Sequence, residues 1–377
     1  MKTTRRAGAR VKGLRAFSLI ELLVVIGIIA LVIAIVVPAL GYARDAARKS
    51  ETTNIANQVS QACLTFQQSE GRLPGFFSAR AMAHTENSTR GFTAMQNAML
   101  DLMGGVVDTV TPPAADEMLV GPSTTDVVKV KPSLIGTNSA GNKAYFTPSG
   151  KYFKVMNQAL LGYGRTGAGY GWTSNAAGAA TAQGGYGEVV DAWSNPVVLW
   201  SIDESQQGEI VGATAAANNF SQVRAPANAN QPSARFYWNA NAAVFTTAQF
   251  AMNGAKPGAA SLLDSGTGDD EKRVNLMGLL GNPASPKTLA NATGNPLTAA
   301  QILPSAGRGT VIVHSAGNDR TFLSTLDRGG KRAGGTSPRY LYYGLNFRTN
   351  ATSTADLPGG QSSDIMGEFD DILVSGG

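Results

Sequence analysis

The chain has 377 residues with 31 basic and 26 acidic side chains, a single cysteine and two histidines. Six of the basic residues, Lys2, Arg5, Arg6, Arg10, Lys12 and Arg15, lie ahead of any acidic one, and without them 25 basic residues face 26 acidic ones, a net charge of −1. No later stretch interleaves basic residues with aromatics, which excludes the electrostatic footprint of a nucleic-acid binder, and one cysteine excludes an internal disulfide.

Residues Leu19 to Leu40 read LIELLVVIGIIALVIAIVVPAL, with Glu21 the only ionisable side chain. At ~1.5 Å per residue this run makes a helix long enough to cross ~30 Å of hydrocarbon. A cleavable secretory signal has a shorter apolar core of roughly 7 to 15 residues with a small residue after it. Here the small residue, Ala16, comes first. The basic leader holds this end in the cytoplasm, so everything beyond Leu40 is expected on the other side. Glu21 is the anomaly, because a carboxylate inside a bilayer costs a few kcal/mol and is usually functional. Snorkelling to the headgroups is the bland account. A cut after Ala16 would instead make Phe17 the amino terminus and place Glu21 one helical turn beyond a free amine and the positive end of the helix dipole.

The combination of basic leader, Ala16, Phe17, Glu21 and an uninterrupted apolar helix resembles the class III signal of type IV pilins and type II secretion pseudopilins. The resemblance implies that residues 1–16 are a leader removed by a prepilin peptidase, that the new amine of Phe17 is methylated, and that Glu21 neutralises the methylated amine of a neighbouring subunit during assembly. A pair formed only in the correct register selects that register. The family usually has Gly before the cut where this chain has Ala16. Cutting after Gly13 would move Glu21 to the eighth mature position.

Residues 17–40 are thus expected to be a transmembrane helix. Ala30 and Ala34 allow close helix approach, and Pro38 removes one helical hydrogen bond and is expected to kink or loosen the helix at the membrane exit. Residues 41–70 are expected to continue as a stalk helix, since Tyr42 to Glu70 contains no Pro or Gly. Ile55, Val59, Ala62, Cys63 and Phe66 fall on one stripe of it. Gly71 and Pro74 stop it. Cys63, on that stripe, reads as a buried core thiol.

Residues 71–187 read as a loop-rich insertion holding one helix candidate, Thr93 to Met103. Two glycosylation sequons, Asn87 to Thr89 and Asn350 to Thr352, read as chance. From Glu188 the pattern is β-rich: EVV, the turn Asp191-Ala-Trp-Ser-Asn-Pro196, then VVLWSI. Further strand candidates are ARFYW from Ala234, Thr310 to His314, Tyr340 to Leu345, and DDILVS from Asp370. Residues 206–308 are an inserted region of low charge.

Three of these pieces together resemble the major pseudopilin branch of the family: DAWSNP with VVLW, VIVHSAGNDRTF, and FDDILVS. The implied fold is α+β, with a long amino-terminal helix packed on a small antiparallel sheet formed by residues 188–205, 309–322 and 339–377. The resemblance also implies a structural calcium ion held by Asp319, Asp370 and Asp371, with Ser315 a weaker candidate. Calcium takes six to eight oxygens, which clustered carboxylates and turn carbonyls can supply. Arg320 stands where the family tends to have Gly, and its cation would oppose binding.

Other motifs carry less. Gly162 to Gly167 matches GxGxxG without the strand and helix a dinucleotide site needs. Asp264 to Glu271 is an acidic loop. His84 and His314 have no partner at metal-ligand spacing, and His314 reads as pointing off a strand. No hydrolase or zinc-protease motif is present, so an enzyme is not expected.

The sequence reading is therefore an enlarged structural subunit of a pseudopilus or type IV pilus-like filament for protein secretion. Its expected location is the bacterial inner membrane, single pass, with the amino terminus cytoplasmic and the carboxyl-terminal domain periplasmic. Expected partners are copies of itself, other pseudopilins, prepilin peptidase and an inner-membrane assembly platform. The alternatives are a minor or tip pilin, or a membrane-tethered binding protein or hydrolase using the same export signal.

Overall fold

The structure is a computed structural model that describes residues 18–82, 84, 86–87, 92–107, 117–123, 125–138, 142–154, 186–202, 220–223, 234–237, 241–245, 261, 263, 279–281, 307–324 and 369–377. Its contacts divide the chain into two units, Met1–Ala47 and Arg48–Gly377.

Helix α1 spans Leu19–Glu70, 52 residues, and continues on both sides of Pro38. In the first unit its apolar side chains are exposed, from Leu19 at 81 % to Leu40 at 58 %. It is long and apolar enough to cross a membrane, and among the described residues it is the one helix that is. In the second unit Thr52, Ile55, Ala56, Val59, Ser60, Ala62, Cys63 and Phe66 are buried. This is the expected stripe, widened by the small residues between its members. Burial pushes the Cys63 thiol up to about 12, so it stays protonated and inert.

Helix α2, Ala94–Met103, starts where the sequence predicts because Thr93 caps it. The Thr93 hydroxyl accepts from Gln96 N at 3.1 Å and the Gln96 amide oxygen accepts from Thr93 N at 3.2 Å. This reciprocal box satisfies two of the main-chain donors that every helix start leaves open. Arg72 forks onto Asp101 of α2 at 2.6 and 3.0 Å and lies 5.0 Å above the Phe66 ring, which ties α2 to the end of α1.

The segment read as a loop-rich insertion holds a three-stranded antiparallel sheet. Its strands are β1 (Val106–Val107), β2 (Met118–Val120) and β3 (Val128–Val130), in the order β1-β3-β2. Two residues of β4 (Phe153–Lys154) pair with β5 (Glu188–Val189). The VVLWSI, TVIVH and DDILVS candidates become β6 (Val198–Ser201), β9 (Val311–Ser315) and β10 (Ile372–Gly376), one antiparallel sheet in the order β10-β9-β6. Between β6 and β9 in the chain, β7 (Phe220–Val223) pairs with β8 (Ala234–Tyr237), the latter being the predicted ARFYW strand. Tyr340 to Leu345 lies outside the described residues.

The β10-β9-β6 sheet is covered on both faces. Leu199, Val311 and Val313 pack into the cluster built on the α1 stripe and α2. Val198, Trp200 and Ile312 face a second cluster with Phe236, Phe245 and Phe322. The register makes this consistent, since Leu199 opposes Val313 and Trp200 opposes Ile312, each pair sharing a face. The fold is thus α+β, a long amino-terminal helix with small antiparallel sheets.

Candidate functional site

Two places gather the residues that the sequence singles out: the start of α1 and the turns around β9.

At the start of α1, Ala16 and Phe17 lie outside the described residues. Glu21 is in the first turn, and Ser18 caps it: Ser18 N donates to Glu21 Oε2 at 2.9 Å, and Glu21 N donates to Ser18 Oγ at 3.2 Å. Ser18-Leu19-Ile20-Glu21 is a capping box. Sequence reasoning missed it, although Ser followed three residues later by Glu ahead of an apolar run is its signature. Glu21 therefore has a partner within its own chain.

Around β9 the predicted turn Asp191 to Pro196 folds on its first side chain. Asp191 Oδ1 accepts from Trp193 N at 2.8 Å and Asn195 N at 2.9 Å, a chain-reversing pattern that Asp makes readily. Its other oxygen accepts from Ser315 Oγ at 2.7 Å and Asn195 Nδ2 at 3.2 Å, and that same amide donates to Gly317 O at 2.9 Å. The turn before β6 is thereby fastened to the turn after β9. Thr52 of α1 joins through its hydroxyl, which accepts from Ala192 N at 3.1 Å. Burial raises Asp191 to about 6, against the four hydrogen bonds that favour its charged form.

After β9 the chain makes a 3₁₀ turn over Gly317–Asp319. Gly317 has φ +67°, and a Cβ there would meet Asp370 O at 2.5 Å, so both conformation and space demand glycine. Arg320 ends the turn in the left-handed region at φ 65°, and Ser194 has φ 67° in the Asp191 turn. Glycine adopts this conformation without steric cost, whereas here two side-chain-bearing residues hold it.

The three carboxylates expected to share a calcium ion meet different hydrogen-bond partners. Asp370 Oδ2 accepts from Asn318 N at 3.0 Å and Asp319 N at 3.1 Å, so Asp370 sits against the turn. Asp319 folds back on its own loop, accepting from Thr321 N at 2.8 Å. Asp371 meets others: its Oδ2 is 2.5 Å from His314 Nε2 and accepts from Leu323 N at 3.0 Å. The hydroxyl of Ser315, whose backbone or hydroxyl is the weaker candidate, donates to Asp191. Among the described residues no group of three or more His, Cys, Asp and Glu is placed to hold a metal ion. Asp319 and Asp370 lie at the turn, and Asp319 Oδ2 and Asp370 Oδ1 are buried there without a hydrogen bond; main chain and water would supply the rest of the six to eight oxygens that calcium takes.

His314 lies on β9, as the TVIVH strand candidate has it. It is fully buried, packed edge-on against Phe322 with ring centroids 4.8 Å apart, and burial pushes it down to about 3. Glu188 is a further residue that sequence reasoning missed. It is fully buried on β5, accepts from Thr93 Oγ1 at 2.8 Å, and is raised by burial to about 8. The Asn87 sequon is engaged, Nδ2 donating to Met82 O at 3.0 Å and Oδ1 accepting from Phe92 N at 3.0 Å, which leaves no room for a glycan. The Gly162 to Gly167 and Asp264 to Glu271 motifs, and the Asn350 sequon, lie outside the described residues.

No family model, no curated protein and no solved structure matches the chain.

Proposed function

We propose that the chain is a pilin-like structural subunit, most similar to a major pseudopilin but enlarged, that a prepilin peptidase cuts before Phe17 and N-methylates there. The observation that carries this reading is a carboxylate in the first turn of an exposed apolar helix that begins directly after a basic leader. A helix of this length compatible with a membrane anchor would hold the precursor in the inner membrane, with the head on the periplasmic side. The exposed apolar surface of α1 would then pass from lipid to the helices of neighbouring subunits in a filament that serves secretion. Glu21 would exchange its capping bond to Ser18 for the amine of a neighbour, since an unpaired charge in an apolar filament core is costly.

A minor or tip subunit is the second reading. It is favoured by the length of chain, 109 residues, that separates β6 from β9, because a bulky head hinders uniform packing. Copy number per filament separates the two.

Mass spectrometry of the amino terminus tests the processing: an N-methylated Phe17 is expected, and an intact Met1 overturns the reading. Glu21→Ala is expected to reach the membrane but stay out of filaments. Unchanged filament content would point instead to a tethered protein that borrows the export signal.

A further inference from the structure

On the head portion of α1, the side turned away from the buried stripe is unusual in what it lacks. From Thr52 to Ser69, about five turns, there is no Asp, Glu, Lys or Arg, and the exposed positions are filled by Asn, Gln, Thr and Ser. A solvated surface is normally roughly 25–35 % charged, and Asn and Thr are poor helix formers where Glu, Lys or Ala would serve better. Solvation alone does not account for that choice. Asn54, Gln58, Gln61, Thr65 and Gln68 recur at steps of four and three, the 3.5-residue period that keeps a seam facing a second helix. The Thr65 hydroxyl bonds back to Gln61 O at 2.9 Å, while the amides of Asn54, Gln58, Gln61 and Gln68 meet no partner among the described residues.

The seam also has a wall. The strap from Lys143 to Tyr152 is fastened to α1 at both ends. At one end Lys143 Nζ donates to Ser69 Oγ at 3.1 Å, and the Tyr145 hydroxyl bonds Ser69 and Glu70. At the other, Lys151 Nζ donates to Glu51 Oε1 at 2.5 Å, and the Tyr152 hydroxyl bonds the same carboxylate. Between these ties a groove of about 470 Å³ runs along Gln58, Gln61 and Thr65, with Tyr145, Phe146 and Thr147 as its other side. The strap's lysines are thus neutralised by the carboxylates that flank the seam, and the stretch between them is left without charge.

Hydrogen bonding decides what such a face fits. A carboxylate only accepts and an ammonium only donates, so a face built of either repels its own copy, whereas each Asn or Gln side chain carries donors and an acceptor and can pair with an identical one. A neutral amide seam is therefore complementary to itself. Two chains anchored in one membrane by α1 stand with these helices parallel. A two-fold axis along the membrane normal then sets each seam residue opposite its own copy, and polar residues in a seam fix its register.

We propose that the seam from Asn54 to Gln68 is the face on which two copies of this chain pair, parallel and in register. The pairing rests on the reading that α1 anchors the chain in a membrane. It needs neither the cut before Phe17 nor the exchange of partners at Glu21.

Disulfide trapping of the full chain in membranes tests it. Cys63 has no exposure, so the unaltered chain is a silent background. Gln61→Cys and Thr65→Cys are each expected to trap a dimer of identical chains, about tenfold more than Ser133→Cys, which is exposed elsewhere on the head. Equal trapping at all three positions, or an adduct with a different protein in place of the dimer, overturns the pairing. In the Thr65→Cys chain, Gln61→Glu on every copy is expected to cut trapping about fivefold. Co-expression with a chain carrying Gln61→Lys and Thr65→Cys is expected to restore it as a mixed dimer, and trapping that ignores these charges sinks the proposal. Trapping at Gln61 in a chain with an intact Met1 keeps the pairing and discards the proposed processing; a methylated Phe17 without trapping does the reverse.

Discussion

The two portions of α1 invert the usual relation between polarity and burial. From Leu19 to Leu40 nearly every side chain is apolar and exposed, whereas from Thr52 to Phe66 a mostly polar helix buries a stripe containing Thr52 and Ser60 at 1 % and 3 % exposure. Contiguous exposed apolar surface beyond a few hundred Å² marks an interface or a membrane contact. The difference teaches where each portion finds its partners: the second finds them among the chain's own strands and α2, the first in nothing this chain supplies among the described residues.

One pair of substitutions would break that contrast most sharply. Val59→Asp puts an unpaired carboxylate at a site with no exposure, and the head is expected to lose cooperative unfolding altogether, as the penalty exceeds ~4 kcal/mol. The same change at Val32 is expected to leave the head's thermal transition in place. Should this portion span a membrane as proposed, the change would cost ~2.5–3.5 kcal/mol on insertion instead. Circular dichroism melts alongside membrane fractionation read both. A head that melts normally in the Val59→Asp variant would show that the stripe is not what holds it.

A pH series sharpens the contrast next, because the buried titrating groups belong to the head. Glu188 titrates near 4.5 when unfolded and near 8 when folded, burial being the cause. Below 4.5 both states hold the proton and this contribution to stability is complete. Between 4.5 and 8 only the unfolded state gives it up, so stability falls as pH rises, by about 5 kcal/mol across the window. Above 8 the loss is constant. Below about pH 6.5 the buried His314, lowered to about 3, makes stability rise with pH and Asp191, raised to about 6, makes it fall, so the clean window lies above: urea midpoints measured from about pH 6.5 to 8 are expected to decline, and Glu188→Gln, which keeps an acceptor for Thr93, is expected to flatten the decline. A native chain with midpoints that rise over this range would contradict the burial of Glu188.

The smallest expected effect lies in the turns. Ser194→Gly and Arg320→Gly each remove a side chain from a left-handed residue and are expected to raise head stability by about 1 kcal/mol. Equal losses in differential scanning calorimetry would mean that the side chains, such as Ser194 Oγ accepting from Lys154 at 3.0 Å, matter more than the backbone.

What could be read from the sequence depended on the length of the pattern. The start and end of α1, the stripe on its second portion, the Thr93 helix and the three strands of the central sheet all leave signals that persist over several residues or end on a Gly, Pro or cap. The sheet β1-β3-β2 leaves none, because strands of two and three residues are too short for a period of two to show. His314 was unreadable for another reason. All five residues of β9 are buried, so alternation gives no hint of which face is special, and its partner lies 57 positions away. Glu188 runs against the rule that glutamates face water, and only the arrival of α2 over β5 explains it. The three acidic residues of the expected calcium site were found together in sequence pattern, yet their hydrogen-bond partners depended on side-chain direction, which two adjacent aspartates resolve differently.

The Ser18 cap on Glu21 carries a consequence for processing. The amide that donates to Glu21 belongs to Ser18 and not to Phe17, so hydrolysis of the bond before Phe17 leaves it an amide. The first turn of α1 is built from atoms that such a cut does not touch. Precursor and product would enter the next step with the same helix start, and whatever persuades Glu21 to change partners must come from the company the helix keeps.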